Sequence, residues 1–253
     1  MDLDFYDANL YFGRPTREVY NPARDASELL RRLDGYGVHQ ALAYHVAERD
    51  VSPVAGNAMT SREIAGHDRL WGCWTILPPQ TREVVQQGAE FFAQMKQQRI
   101  IALRAFPGLH NYLLQRTVFG KWLDEVSERQ IPVLLSIEHG VSWPVAYSLL
   151  TDYPLLTCVL CDIGIWGVDR YTWPLLEQYP NVYLETSLVA LEDGGMEAIV
   201  RRYGADRLLF GSGFPDRYPE SAILQLLHAD ITLDDRRRIA GGNLKRLAEQ
   251  VQY

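Results

Sequence analysis

Short apolar runs alternate with longer amphipathic stretches along the whole chain. The short runs have the length of buried strands, whereas the longer stretches repeat apolar residues every three or four positions, as one face of a helix does. In residues 26–36, for example, Leu29, Leu30 and Leu33 share one face. The pattern predicts eight strands, at residues 3–6, 38–44, 70–77, 100–103, 132–137, 155–160, 182–184 and 208–210.

A helix is predicted after each of these strands. Eight strand–helix units in a chain of 253 residues predict an α/β fold of the (β/α)8 TIM-barrel type, with an open doubly wound sheet as the structural alternative. No linker, low-complexity segment or repeat divides the chain, so we expect residues 1–253 to form a single domain. The predicted helices span residues 26–36, 53–65, 82–96, 114–128, 143–150, 171–178, 196–203, 221–228 and 233–250.

The charge and composition of the chain argue against several classes of function. The net charge of −7 argues against binding to nucleic acid or to an anionic membrane, which requires clustered Lys and Arg. No apolar run approaches the ~20 residues that cross a bilayer, and the sequence begins without a signal peptide. The odd number of cysteines, Cys73, Cys158 and Cys161, indicates a reducing compartment. We therefore expect a cytoplasmic protein whose partner is a small-molecule substrate, and whether it forms a homo-oligomer stays open.

Polar side chains follow most of the predicted strands. The carboxyl ends of the strands of a parallel barrel converge at one mouth, so these side chains are expected to form one polar pocket. Taken singly, each could instead cap a strand or helix or pair with a neighbouring charge. The set comprises Asn9, Tyr11, His45, Arg104, Glu138, His139, Asp162, Glu185, Ser187, Asp216 and Arg217. The aromatic residues that flank it, some of which could form an apolar wall, are Trp74, Phe106, Trp143, Trp166 and Phe214.

Residues 204–215, with the sequence GADRLLFGSGFP, resemble the last barrel strand of the amidohydrolase-related superfamily, in the branch of the aminocarboxymuconate-semialdehyde and resorcylate decarboxylases. Residues 179–187 (YPNVYLETS) are similar to its seventh strand, and residues 239–247 (IAGGNLKRL) to its closing helix. The resemblance covers nearly the whole chain. It implies an amidohydrolase-like barrel that acts as a hydrolase or lyase at its mouth, usually with a divalent metal.

The positions that bind the metal in that family are changed here. Asn9 and Tyr11 replace the two histidines of the family's Asp-x-His-x-His, and Gly213 replaces an aspartate. Ser136 and Asp162 stand where the fifth and sixth strands usually carry histidine. A neutral amide is a poor metal ligand, and an ordinary tyrosine is protonated at pH 7. The sequence therefore predicts no metal cofactor. The alternative is a rearranged site, for zinc or a similar metal, built from Asp7, Glu138, His139 and Asp162.

The resemblance and the polar pocket together favour a metal-independent hydrolase or lyase that acts on a small carboxylated or lactone-like substrate. Asp162 would be the general base toward a water, and Arg104 would polarise a carbonyl and stabilise the developing oxyanion. Tyr11 and His139 would orient the substrate or act as acid. The other candidates for substrate binding are Asn9, His45, Glu138, Ser187, Asp216 and Arg217. The alternative is a catalytically inactive descendant with a binding or assembly role.

Overall fold

The computed structural model describes residues 3–83, 88–164, 167–188 and 194–253. Its sheet contains eight strands, and each pairs in parallel with the next strand along the chain. The strands are β1 Phe5–Phe12, β2 Val38–His45, β3 Leu70–Thr75, β4 Ile100–Ala105, β5 Val133–Ser136, β6 Cys158–Cys161, β7 Val182–Glu185 and β8 Leu208–Leu209.

The sheet closes on itself between β8 and β1. The amides of Ala8 and Tyr11 donate to the carbonyls of Phe210 and Phe214 at 2.9 and 3.0 Å. In return the Gly213 amide donates to the Asn9 carbonyl at 2.9 Å. The predicted (β/α)8 TIM barrel is therefore confirmed, and the residues just after β8 are fixed beside β1 at the carboxyl-terminal mouth.

Helices follow the strands as predicted, with differences that have local causes. They are α1 Ala26–Tyr36, α2 Ala47–Asp50, α3 Pro53–Ile64, α4 Ala89–Gln97, α5 Arg116–Phe119, α6 Trp122–Glu128, α7 Trp143–Asp152, α8 Asp169–Gln178, α9 Gly195–Tyr203, α10 Pro219–His228, α11 Leu233–Arg237 and α12 Asn243–Gln250. Helix α1 is the simplest case: the Asp25 carboxylate accepts from the Glu28 amide at its start, and Gly37, with φ 72°, ends it.

Four predicted boundaries are corrected. The predicted helix at residues 114–128 is two helices, because Gly120 takes φ 54° between them. The predicted helix at residues 233–250 contains a π turn at Arg238–Gly242, where a Cβ on Gly241 would lie 2.5 Å from the Asp4 carbonyl. The first strand runs from Phe5 to Phe12, and its polar residues Asp7 and Asn9 are buried like its apolar ones. Helix α4 begins at Ala89, and residues 84–87 of the predicted helix lie outside the described residues.

The barrel interior is filled with side chains beneath the mouth. A cluster of small and medium apolar residues packs inside the strands, including Ala8, Leu42, Cys73, Ala102, Leu134 and Val159. A larger cluster packs between the strands and the surrounding helices. Because the interior is packed, the polar side chains gather above an apolar floor rather than along an open channel.

In the described part of the chain, no helix is long and apolar enough to cross a membrane.

Candidate functional site at the barrel mouth

Five buried polar side chains from five strands meet at the mouth, and we call them the inner cluster. One lies in the second half of β1, and the other four lie at or next to the carboxyl ends of β4, β5, β6 and β7. Each is at most 4% exposed. The members are Asn9 on β1, Arg104 on β4, Ser136 on β5, Asp162 directly after β6, and Glu185 on β7.

The Asn9 side chain joins the inner cluster together. Its amide nitrogen donates to Asp162 Oδ1 at 3.1 Å and to Glu185 Oε2 at 2.9 Å. Its amide oxygen accepts from Arg104 Nη2 at 2.9 Å. Asn9 therefore connects two carboxyl groups to one guanidinium, and its donors and its oxygen are both occupied by protein partners.

Three donors converge on the Asp162 carboxylate. Besides Asn9, the Ser136 hydroxyl donates to its Oδ2 at 2.6 Å, and Arg217 Nη1 donates to its Oδ1 at 2.8 Å. The residue takes φ 51°, a left-handed conformation that aspartate tolerates better than most side chains. A carboxylate offers about four acceptor positions, so three donors leave roughly one position of Asp162 for a ligand.

The pKa values of the other two charged groups of the inner cluster, Glu185 and Arg104, are shifted. Burial, together with the negative charge of Asp162, raises the pKa of Glu185 to about 8, although Ser187 donates to its carboxyl from both backbone and hydroxyl. Burial would lower the pKa of Arg104, but neighbouring groups led by Tyr44 raise it further, so the guanidinium stays charged. This guanidinium also lies 4.6 Å over the Tyr44 ring.

Two further buried carboxyl groups lie close to the inner cluster. Burial raises the pKa of Asp7 to about 6, against hydrogen bonds from Ser212 and the Asn9 amide. Burial likewise raises the pKa of Glu48 to about 8, although Thr60 and Thr75 hydroxyls donate to its two oxygens. Sequence reasoning missed Glu48, which lies in the four-residue helix α2 and not at a strand end. Such a short helix gives no periodic signal.

A second carboxylate, Asp216, organises what we call the outer cluster, which comprises Asp216, Tyr11, Arg17, Arg49 and His139. The Tyr11 hydroxyl donates to Asp216 Oδ1 at 2.5 Å, and Arg17 Nη2 and His139 Nε2 lie 2.5 and 3.4 Å from Oδ2. Burial works to raise the pKa of Asp216, but the hydrogen bonds and arginine charges outweigh it and lower the pKa to about 2. Burial and the Asp216 acceptor raise the pKa of Tyr11, so its phenol stays protonated.

Two members of the outer cluster, Arg17 and Arg49, were not predicted from the sequence. Arg17 lies in the loop between β1 and α1, and Arg49 lies in α2 beside Glu48. Arg49 Nη1 is 3.9 Å from Asp216 Oδ2, and its guanidinium lies 4.7 Å over the Tyr11 ring. Prediction from strand ends alone misses such residues, because a loop or short helix brings them to the mouth from the side.

Two cavities adjoin these clusters. The smaller has a volume of about 10 Å³, room for roughly one water molecule. The larger, of about 240 Å³, lies between the β1–α1 loop and the segment that follows β8. Phe214 and Asp216 line both cavities, and Arg217 lines the larger. Further residues lining the smaller cavity are Asn9, Tyr11, Tyr44, Arg104, His139, Asp162 and Gly213.

Arg217 folds back over Gly213, which takes φ 68°. A Cβ on Gly213 would lie 2.7 Å from Arg217 Nη1, so the guanidinium occupies the space that a side chain at position 213 would need. The same guanidinium bridges Asp162 and Glu138. Burial would lower the pKa of Arg217, but the charges of Asp162, Glu138 and Glu185 raise it, so the bridge is ionic.

The residues present at this mouth do not fit a divalent metal. Within the described ranges 3–83, 88–164, 167–188 and 194–253, no three His, Cys, Asp or Glu side chains are arranged to hold one. The Asn9 amide group is engaged with protein partners and the Tyr11 phenol is protonated. Two guanidinium groups, of Arg104 and Arg217, already supply positive charge beside Asp162 and Asn9. No chemical step is therefore assigned to a metal.

The remaining predicted residues lie around these clusters. Ser187 binds Glu185, and Glu138 binds Arg217, as described above. The His45 ring instead packs on Phe12, with its Nδ1 accepting from the Ala47 amide, and burial lowers its pKa. Of the flanking aromatics, Phe106 packs against Tyr44, Trp74 against Phe91, and Trp143 stacks on Tyr171. Phe214 lines both cavities, and Trp166 lies outside the described residues.

Comparisons with known proteins agree with the barrel. A family model described as Amidohydrolase matches residues 121–247, half of the chain. An uncharacterized TIM-barrel protein from Bordetella bronchiseptica superposes with a TM-score of 0.72 at 19% identity, covering 98% of this chain and 99% of its own. A probable 2-pyrone-4,6-dicarboxylic acid hydrolase from Acinetobacter baumannii, solved with citric acid bound, gives 0.72 at 14% identity, covering 98% and 100%.

A third similar structure is a 2,6-dihydroxybenzoate decarboxylase from Rhizobium. It superposes with a TM-score of 0.70 at 14% identity and covers 98% of this chain and 99% of its own. At such low identity these likenesses show the fold alone. No curated protein matches the chain in a sequence search.

Proposed function

This chain belongs to the amidohydrolase family, and from that premise we propose that it is a hydrolase that works without a bound metal on a small carboxylated or lactone-like substrate. The observation that carries the proposal is the water-sized cavity, which both the Asp162 carboxylate and the Arg104 guanidinium line. The names of two similar structures, a pyrone dicarboxylic acid hydrolase and a dihydroxybenzoate decarboxylase, support a carboxylated ring as substrate.

Asp162 is the proposed general base. Its one remaining acceptor position and the cavity it lines suit a single water molecule, which would attack the substrate carbonyl as Asp162 takes its proton. The new bond joins the water oxygen to the carbonyl carbon, and the electron pair of the carbonyl moves onto its oxygen. Asn9 and Ser136 fix the orientation of the carboxylate while this happens.

Arg104 and His139 complete the proposed site. Arg104 is 1% exposed and its Nε has no hydrogen-bond partner among the described residues, so this N–H is free to bind the oxyanion. When the tetrahedral intermediate collapses, the bond to the leaving oxygen breaks and His139, which lines the same cavity, gives that oxygen a proton. Tyr11 orients the substrate, since its phenol stays protonated.

A second function, binding or assembly without catalysis, is favoured by one observation. The cavity beside Asp162 holds about one water, and the Asp216 carboxylate next to it is engaged by tyrosine, histidine and arginine. A substrate carbonyl reaches Asp162 only if a side chain moves. A mouth that stays closed in solution would keep the fold and lose the chemistry.

Hydrolysis of a panel of lactones, esters and carboxylated aromatic compounds, with and without chelator, separates the two functions. We expect turnover that is insensitive to chelator and that falls about 10²–10⁴-fold in Asp162→Asn, the range of a general base. Asp230→Asn, which changes an exposed carboxylate after α10, is the matched control and should keep full activity. Unchanged turnover in Asp162→Asn would contradict the assignment of the base, and no turnover of any compound would favour the binding role.

A further inference from the structure

Phe214 and Asp216 line both the water-sized cavity and the 240 Å³ cavity, and Arg217 lines the larger one. Phe214 is buried, and Asp216 is held by its partners in the outer cluster. Arg217 differs, because its guanidinium spans from the buried Asp162, whose side chain is 3% exposed, to Glu138, whose side chain is 48% exposed. The outer half of this bridge is therefore open to competition from solvent and from ligands.

The backbone around Arg217 directs its side chain inward. The Arg217 amide donates to the Gly213 carbonyl at 3.2 Å, which closes a turn over residues 213–217. Gly213 has no side chain, so the guanidinium lies where a side chain at this position would stand. The result is a cation that covers Asp162 and, at the same time, lines the larger cavity.

We propose that Arg217 is the gate of the site, and that a ligand opens it by offering Arg217 an anionic group in exchange for Asp162. The inference rests on the proposed function in one respect, since it names how the substrate of that site is recognised. The ligand class is a small molecule that carries a carboxylate or a similar anion. It would bind in the 240 Å³ cavity, where the Arg17 side chain, 53% exposed, supplies a second cation.

The exchange keeps the Arg217 guanidinium paired and frees the base. Arg217 leaves one carboxylate and gains another, so no buried guanidinium is left without a counterion. Asp162 then keeps its donors from Asn9 and Ser136 but regains an acceptor position and loses an adjacent positive charge. Binding of the anion and release of the base are thus one event, and a neutral analogue would achieve neither.

Binding of a simple probe tests the gate without any turnover. Calorimetric titration with sodium propionate at constant ionic strength should give saturable binding to the wild-type protein, and propionamide should not bind. Arg217→Met should weaken propionate binding by about tenfold or more, as loss of a paired charge does. Arg201→Met, which changes an exposed arginine on α9, is the matched control and should bind as the wild type does. Equal binding by Arg217→Met and the wild type would overturn the proposal.

A second measurement addresses the chance that Arg217→Met folds poorly. Arg217→Ala leaves room for a free guanidinium ion between Gly213, Asp162 and Glu138. Millimolar guanidinium chloride should raise its thermal midpoint relative to sodium chloride, and should not raise that of the double variant Asp162→Asn/Arg217→Ala. Rescue in the single variant alone supports the gate and the exchange. Absence of rescue, or equal rescue in both variants, would overturn it, whether or not the protein proves to be a hydrolase.

Discussion

The inner and outer clusters each surround an aspartate, but they hold it in different ways. Asp162 is held by a neutral amide, a hydroxyl and one guanidinium that also binds an exposed carboxylate. Asp216 is held by a phenol, an imidazole and two arginine side chains. In the proposed mechanism, the first arrangement leaves an aspartate that gains room for a ligand when one cation moves. The second lowers the pKa to about 2 and keeps the carboxylate charged.

We propose that this difference separates a chemical role for Asp162 from a structural role for Asp216. Asp216 ties β1, α2, the β1–α1 loop and the segment after β5 to the segment after β8, so it fixes the shape of the mouth. Asp162 lies on a buried strand end beside a cavity, where neighbouring dipoles are preorganised and water is scarce.

The largest effect on stability is expected from the buried arginine. Arg104→Met would leave the Asn9 amide oxygen without its donor and remove the only fully buried guanidinium of the inner cluster. We expect the free energy of unfolding to fall by about 3–5 kcal/mol. Arg17→Met in the outer cluster, where the side chain is half exposed, should cost no more than about 1 kcal/mol. Chemical denaturation of both variants measures the contrast, and equal losses would show that burial does not distinguish the clusters.

A smaller loss is expected from Gly213→Asp. The new side chain would stand at φ 68° and collide with the Arg217 guanidinium, so we expect a loss of about 1–3 kcal/mol. The added carboxylate should not create a metal site, because Asn9 and Tyr11 supply no suitable ligands and a site needs three or four. The triple variant Asn9→His/Tyr11→His/Gly213→Asp is the comparison. Tight zinc binding by the single variant in a metal titration would contradict this account.

The pH dependence of stability should have opposite signs in the two clusters. The pKa of Glu185 rises from 4.5 to about 8, so between these values the folded protein holds a proton that the unfolded chain lacks. Stability should therefore fall as pH rises through this window, by up to about 1.4 kcal/mol per pH unit for one group. Glu48, with a pKa of about 8, adds to the same trend. Glu185→Gln should make the fall in unfolding free energy between pH 5 and pH 8 less steep, by an amount on the order of the contribution of one titrating group.

Asp216 should have the opposite effect on the pH dependence of stability. Its pKa falls from 3.8 to about 2, so its contribution to stability is present above pH 3.8 and is lost as pH falls toward 2. Asp216→Asn should therefore make acid unfolding less steep in that window and leave the slope above pH 5 unchanged. If the slope of unfolding free energy with pH below pH 3.8 is the same in Asp216→Asn as in the wild type, the Asp216 carboxylate is not the anion that the outer cluster stabilises.

The sequence predicted the barrel well because each strand is a short apolar run bounded by turns. It also predicted Asn9, Arg104, Asp162 and Asp216 as neighbours, since strand ends of a barrel converge. It missed Arg17, Arg49 and Glu48, which a loop and a four-residue helix bring to the mouth. It also gave no sign that Arg217 turns back over Gly213, because a left-handed glycine and a side-chain direction depend on tertiary contacts.

We propose that arginine guanidinium groups, and not a metal ion, supply the positive charge of this mouth. Elemental analysis of protein purified without chelator tests it most directly. We expect well under one equivalent of zinc, manganese or iron per chain, and a thermal midpoint that chelator does not change. One tightly bound equivalent of any of these metals, with a fold that chelator destabilises, would contradict it.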